Sequence, residues 1–591
     1  MRDRGLRRGP LASAVSLIVL GAALGGAGSA LAQGEDTLGS QPVPVTVPST
    51  LPATPGDFQV SASAAINIAN RTELVREIRR TYGQVDAAPQ VKPGQWEIFY
   101  NAEGEAVALI AVGGVTGDVR EEWTGDQIAW QMARGYEGQF GHILNAPYVW
   151  IPLCLIFFFG LFDFRRPRRI AHLDLLVLLS FGISHIFFNN GEIGVSVPLA
   201  YPPLVYLLAR TVWVGFRGGG RGLSPSTPIV ALALVTVFLI GFRVAINIAD
   251  SAVIDVGYAG VIGADRITHF ESFYGENAFP ESNRPGDTYG PANYLAYVPF
   301  ELAFPWSGEW DDLPSAHAAV ILFDLATILG LFALGRRLRP GRAGRDLGVI
   351  LAFGWAALPH TAFAMQSNTN DPLIAALIVW ALVAFSSIGL RATLVALATM
   401  VKFAPLLLLP LFAAGERGLA GELKARAAAA PAVLRIGYFA AVFIAIMALM
   451  LVYPAVEPGL SVAWDRTLGT QLGRESPFSI WGQEPSLDPL KTLLMAAIAG
   501  FAALLAFVPR RRTLVQVSAF AAALVIASQL ILEHWFYLYI PWFLGPLMVA
   551  IATPFERPAD AGQQPRDAPT AGRRRRIQGR SDPRSEAGHR D

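Results

Sequence analysis

The chain has 591 residues, 53% of them hydrophobic, and a formal net charge of +1. Such an apolar composition over this length excludes an ordinary soluble protein and points to a polytopic membrane protein. The total charge says little because charges are segregated: Arg far outnumbers Lys, which occurs only as Lys92, Lys402, Lys424 and Lys491.

Abundant Arg, Ala and Gly fit a GC-rich bacterial genome. The N-terminus reads as a secretory signal over 1–32. Arg2, Arg4, Arg7 and Arg8 form a basic region, LASAVSLIVLGAALGGAG is the apolar stretch, and Ala30-Leu31-Ala32 is a small-x-small cleavage site. The alternative is an uncleaved first anchor; either way, the next segment lies outside. Residues 33–56 are a Pro/Thr-rich linker. Residues 57–141 read as a small α+β domain: TELVREIRRTYG is an amphipathic helix, and QWEIFYN alternates with Trp96, Ile98 and Tyr100 on one face. AEGE turns into a second strand, AVALIAVGG, and VTGDVREEWTG adds a turn and a short strand. These elements resemble a PepSY-type domain, which implies an extracytoplasmic binding or regulatory module without chemistry of its own. The single cysteine, Cys154, sits in an apolar run, so the outer domain has no disulfide.

Apolar runs recur from Pro147. Spans are expected near 147–163, 172–189, 198–216, 228–249, 315–334, 347–364, 372–389, 436–454, 489–508, 514–532 and 536–553. The expected fold is therefore an all-α polytopic membrane protein of about 11 spans. Arg165, Arg166, Arg168, Arg169, Arg217, Arg221, Arg336, Arg337, Arg339, Arg342, Arg345 and Arg510 to Arg512 mark the cytoplasmic loops. The loop 250–314 holds eleven acids and two basic residues, and is read as external. One run, 392–415, has basic residues at both ends, which predicts a re-entrant pair of half-helices broken near Lys402-Phe403-Ala404-Pro405. Residues 142–227 form accessory helices, 228–556 a core, and 557–591 a disordered, Arg-rich cytoplasmic tail.

Unusual residues gather on the external side. Asp250, Asp255 and Asp265 crowd the end of the 228–249 span, where ionised groups are costly without a task. The 347–364 span leads into QSNTND, with Gln366, Asn368, Asn370 and Asp371. The loop 455–488 carries Arg474 and Trp481, and the 514–532 span ends at Glu533, His534 and Trp535. Such a polar, aromatic mouth suits a carbohydrate: amides and acids take hydroxyls, and rings such as Tyr258, Tyr289 and Trp481 stack on a sugar face.

DVGYAGVIGADRI, DTYGPANYLAYVPF, QSNTNDPLIAALIVW, VKFAPLLLLPLF and HWFYLYIPW, in this order over roughly 228–553, resemble glycosyltransferase family 87. The resemblance implies a GT-C fold, a polyprenyl-phosphate sugar donor (typically mannose), and an Asp of the first outer loop as general base. Asp255 is the candidate base, taking the proton of the attacking hydroxyl. Asp250 caps or orients; Asp265 is either a solvated acid or a second active-site carboxylate. Lys402, within an apolar run, is the candidate cation for the departing phosphate, with Arg474 and His534 as further contacts. Asp324, mid-span, reads as a hydrogen-bond partner in the bundle. No resident cofactor is expected, and a divalent metal is left open without a ligand set. The expected partners are the bilayer, the lipid-linked sugar and a lipid or glycan acceptor, with no nucleic acid. The rival readings are a lipid or solute transporter, which predicts repeated halves that the chain does not show, and a membrane sensor using the outer domain.

Overall fold

The computed structural model describes residues 46–48, 50–92, 94–136, 142–309, 312–416, 429–470 and 476–554. The expected signal segment, most of the linker, Arg474, Lys424 and the tail 557–591 lie outside the described residues. The chain divides into two compact units, 1–122 and 123–591.

In the first unit, helices α1 (Ala62–Ala69) and α2 (Glu73–Tyr82) accompany four strands: β1 (Asp86–Lys92), β2 (Gln95–Ala102), β3 (Glu105–Gly113) and β4 (Val119–Thr124). The sheet runs in the order β1-β2-β3-β4, with β1/β2 and β2/β3 antiparallel. Ser61 and Thr72 cap the helices through their hydroxyls. Trp96, Ile98 and Tyr100 form the buried face of β2, as their alternation predicts, and pack with Ala65, Ile66, Val75 and Ile78. The two polar tips in this core are satisfied: Trp96 Nε1 donates to Val60 O at 2.8 Å and Tyr100 Oη to Asn70 Oδ1 at 2.8 Å. Helix α1 and strand β1 are additions to the expected elements. The second unit begins at Trp123, earlier than the expected boundary at 141, because the 123–136 segment packs with the helices. Gln127 Nε2 donates to Asn189 O at 3.3 Å, and the Arg134 guanidinium lies 5.2 Å from the Trp123 ring centre.

The second unit is helical. In chain order it contains α3 (Pro147–Leu161), α4 (Ile170–Asn189), α5 (Ile193–Arg217), α6 (Ile229–Ala249), α7 (Asp255–Thr268), α8 (Pro291–Ala303) and α9 (Pro314–Leu338). These are followed by α10 (Gly341–Ala357), α11 (Pro359–Gln366), α12 (Asp371–Val383), α13 (Ile388–Val401) and α14 (Leu409–Ala414). The series ends with α15 (Ala429–Met450), α16 (Asp488–Phe507), α17 (Leu514–Gln529) and α18 (Ile540–Ala552). Six helices among the described residues are long and apolar enough to cross a membrane, seven if the bent pair α10–α11 is one span. These are fewer than the eleven spans expected. The other apolar runs form helices of 10–17 residues, and at 1.5 Å per residue these fall short of a hydrocarbon core about 30 Å thick.

The run 347–364, expected as one span, bends by 59° between α10 and α11. Pro359 lacks an N–H, so it frees carbonyls at the bend. Arg243 of α6 takes them up. Its Nη1 donates to Trp355 O, Ala356 O and Thr361 Oγ1 at 3.2, 3.1 and 2.9 Å, and its Nη2 to Thr361 O at 3.0 Å. Asp324 of α9 neutralises the guanidinium at 2.5 Å and also accepts from Trp355 Nε1 at 2.8 Å. Asp324 is thus the bundle hydrogen-bond partner that its position predicts. At the second break, α13 stops at Val401 and a 3-10 turn, Ala404–Leu408, begins just before Pro405, so the interruption falls where the sequence places it.

Arg243→Met should destabilise the helical unit by about 3–5 kcal/mol, because Asp324 and the carbonyls at the bend lose their partner in a dry interior. Arg243→Met combined with Asp324→Leu should cost less than Arg243→Met alone. Thermal unfolding of the detergent-purified protein checks both; equal melting of Arg243→Met and wild type would contradict this role.

Candidate functional site

The residues 366–371 join α11 to α12 and are buried throughout. A buried loop must bond its backbone internally, and amide N–H groups of this one reach the surrounding segments, while Gln366 Oε1, Ser367 Oγ and Asn370 Oδ1 stay without a partner among the described residues. Asn368 adopts φ 48°, a left-handed conformation that Asn tolerates. Its Nδ2 donates to Ser251 Oγ and Ala252 O, both at 2.9 Å, while its Oδ1 accepts from Asn247 at 2.9 Å. Gln366 Nε2 donates to Asp250 O at 2.9 Å, and Asn370 Nδ2 to Asn293 Oδ1 of α8 at 2.7 Å. These bonds tie the loop to the segment between α6 and α7. The tie is close: Ile254 N–H donates to Ser367 O at 3.2 Å, and a Cβ on Gly257 would lie 2.2 Å from Asn368 O. The first turn of α7, which begins at Asp255, is therefore seated on this loop.

The loop ends at Asp371, the first residue of α12, whose carboxylate is almost fully buried. Three donors hold it: Lys402 Nζ at 2.6 Å and Trp542 Nε1 at 2.7 Å on Oδ1, and Thr369 Oγ1 on Oδ2. Lys402 stands at the break after α13, its side chain 13% exposed. Its ammonium lies 4.9 Å from the Tyr539 ring centre, 5.1 Å from that of Trp542 and 5.8 Å from that of Tyr289. Three ring faces and one carboxylate offset the cost of taking an ammonium out of water. The backbone between Tyr289 and α8 is pressed onto the same break. Gly290 N–H donates to Val401 O at 3.3 Å, and a Cβ there would meet Met400 O at 2.0 Å, so only glycine permits this approach.

The three candidate acids fall into different settings. Asp255 is exposed at the start of α7, where an anion is favoured by the helix dipole. Its backbone carbonyl accepts from Asn283 Nδ2 at 2.9 Å. Asp250 follows the last residue of α6, and its Oδ2 accepts from Ile143 N–H at 3.3 Å and lies 3.6 Å from His142 Nδ1. Asp265 is not a second carboxylate beside Asp255. Ten residues of helix separate them, a rise of roughly 15 Å, and Asp265 Oδ1 lies 3.2 Å from His269 Nδ1. The Asp265 carbonyl, bonded to that ring, and then the carboxylate charge raise the His269 pKa above its ordinary value.

Other expected contacts are corrected. Gln366, Asn368 and Asn370 are at most 2% exposed and donate their amide N–H groups to the chain itself, so they lie beneath the surface on which the sequence placed them. Tyr258 is a core residue, packed edge-on to Trp306 at 5.7 Å. Trp481 is buried and donates from Nε1 to Leu530 O at 3.0 Å. His534 Nδ1 lies 2.9 Å from Ser476 Oγ, against the edge of Phe478. Tyr289 and Lys402, both candidate site residues, lie together, the ammonium 5.8 Å from the ring centre. Thr369, Tyr539 and Trp542 were not singled out, and Asp371 was read only as part of the polar outer mouth, although TND before Pro372 and the aromatic FYLYIPW run carried the signal. Arg466 is also new: it forms a two-pronged pair with buried Asp287 at 2.5 and 2.9 Å, and this bond raises its pKa further. No group of three or more His, Cys, Asp or Glu arranged to hold a metal occurs among the described residues. No protein-family model, curated protein or solved structure matches the chain.

Gly290→Ala should push the Tyr289 segment away from the Lys402 break. The four lysines make this readable by mass spectrometry after acylation with an amine-reactive ester. Wild-type Lys402 should react much more slowly than exposed Lys92, and Gly290→Ala should narrow the gap. Equal labelling of Lys402 and Lys92 in the wild type would contradict the enclosed ammonium.

Proposed function

We propose that the chain is a membrane glycosyltransferase that moves a hexose, mannose by the sequence resemblance, from a polyprenyl phosphate to an acceptor hydroxyl outside the cytoplasm. The single observation that carries this reading is that an exposed acid and an enclosed ammonium are anchored to one six-residue loop, 366–371. Asp255 heads the helix seated on Asn368, and Lys402 is bonded to Asp371 at the loop's end.

In this reading the acceptor oxygen attacks the anomeric carbon and its proton passes to the Asp255 carboxylate. The bond from that carbon to the phosphate oxygen breaks, and the polyprenyl phosphate leaves as an anion. Lys402 meets that anion. In a site shielded from water a fixed positive charge is worth far more than in bulk. Asp371, held by three donors, keeps the ammonium charged and aimed; it is not a second base. Tyr289, Tyr539 and Trp542 offer aromatic surface beside the charge, suited to a sugar face or the first isoprene units. The acid-rich loop after α6 faces outward and the Arg-rich loops face the cytoplasm, with the first unit extracytoplasmic.

The test is transfer of radiolabel from polyprenyl-phosphate mannose to a membrane-lipid or cell-wall extract by the purified protein. Asp255→Asn should lower turnover by roughly 10² to 10⁴ and leave donor binding intact. Lys402→Ala should weaken donor binding and turnover together. Wild-type turnover in Asp255→Asn would remove Asp255 as the base. Absence of transfer by the wild type from any polyprenyl-phosphate hexose would remove the reading itself.

A further inference from the structure

The helical unit contains a second cluster that glycosyl transfer does not use. His185, near the end of α4, and His360, at the start of α11, are at most 2% exposed. Their ring centres are 5.7 Å apart and their planes differ by 29°. Trp150 of α3 stands perpendicular to both rings at 5.1 Å. Tyr537 stacks on His185 at 4.3 Å, and Phe363 meets its edge at 4.8 Å. None of the four imidazole nitrogens has a hydrogen-bond partner among the described residues. The nearby hydroxyls are already occupied: Ser184 Oγ lies 2.6 Å from Tyr537 Oη and donates to Ser196 O at 2.6 Å. A neutral imidazole carries one donor and one lone pair, and interiors rarely leave either unmade. Two such rings lie side by side with all four nitrogens unmade.

We propose that His185 and His360 bind one monovalent copper ion. The chemistry of the pair selects it. Zinc prefers four protein donors or three plus water, and magnesium and calcium want oxygen; no group of three or more His, Cys, Asp or Glu able to hold a metal occurs among the described residues. A divalent ion held by two neutral rings, with no carboxylate, would leave two positive charges in an apolar interior. Monovalent copper has a filled d shell, accepts two nitrogens as a complete two-coordinate set, and brings one charge. The walls suit that charge, because Trp150 and Tyr537 offer π-systems to a cation. The spacing fits as well: 5.7 Å lies just inside the roughly 6 Å between ring centres when two imidazoles share an ion at about 2.0 Å per bond. The proposal rests on none of the glycosyl-transfer reasoning.

The experiment uses the full chain in detergent, carrying Cys154→Ser so that the lone thiol does not compete, and titrates cuprous ion anaerobically against a chromogenic chelator. One equivalent should bind per chain, with an X-ray absorption spectrum of two nitrogens and no sulfur, and the melting temperature should rise. His185→Leu and His360→Leu should each lose the bound equivalent and the copper-dependent rise. Both should still fold, since leucine fills the apolar space without leaving a polar atom unmade. Copper-free, they should melt at or above the wild type. If the wild type binds no copper above a detergent blank, the pair holds only water and the proposal falls. It falls equally if either variant keeps the equivalent, or if the spectrum shows sulfur. Should a variant fail to fold, the wild-type spectrum and melting shift decide alone.

Discussion

The bond between Lys402 and Asp371 is the constraint on which the rest of the candidate site depends. A lysine at the end of an apolar helix has two options: to reach for the interface, or to find an anion inside. Here the anion is the first residue of α12, and the same carboxylate takes the indole N–H of Trp542 at the start of α18. One oxygen thus joins the ends of three elements that are distant in sequence. The aromatic faces follow from this, because Tyr539, Trp542 and Tyr289 must close around an ammonium that water does not reach fully. The glycine at 290 follows too, since the Tyr289 segment approaches the break within van der Waals contact.

Interrupted helices recur in this molecule, and each interruption is answered by a side chain. At the α10–α11 bend, Arg243 and Asp324 supply the donors and the charge balance that Pro359 makes necessary. At the α13 break, Lys402 supplies a donor to Asp371. Between α11 and α12, amides of Asn368, Gln366 and Asn370 bond a short turn to its surroundings. Non-helical backbone inside a membrane protein needs this kind of internal satisfaction. Polar residues in apolar surroundings therefore serve two purposes here, closing the backbone and presenting charge, and the geometry separates them.

That separation is where the sequence reading reached its limit. The strand pattern of 95–113, the helix of 73–82 and the break at Lys402 were legible, because alternation, amphipathicity and a proline each act locally. Strand β1 was not, since DAAPQVK mixes charge, alanine and proline; it sits at the sheet edge, where a missing N–H costs little. Helix α1 had its apolar residues at Ala62, Ala65, Ile66 and Ala69, a helical spacing weakened by their small size. The amides of QSNTND carried the right message that this loop matters and the wrong one about how, because burial reverses the role of an amide and burial is a tertiary fact. Asp371 and Trp542 are 171 residues apart, so no local pattern joins them. Six or seven of the expected spans are single helices of sufficient length, because an apolar run gives the length of a segment but not the bend inside it.

On the proposed function, the Lys402 ammonium, held by Asp371, receives the phosphate of a lipid carrier. A cryo-electron microscopy map of the protein with polyprenyl phosphate bound tests this most directly. Phosphate density is expected within hydrogen-bonding distance of Lys402 Nζ, with the lipid chain running past Tyr289 or Tyr539. Phosphate density resting elsewhere, with the Lys402–Asp371 pair still enclosed and untouched by the lipid, would contradict it.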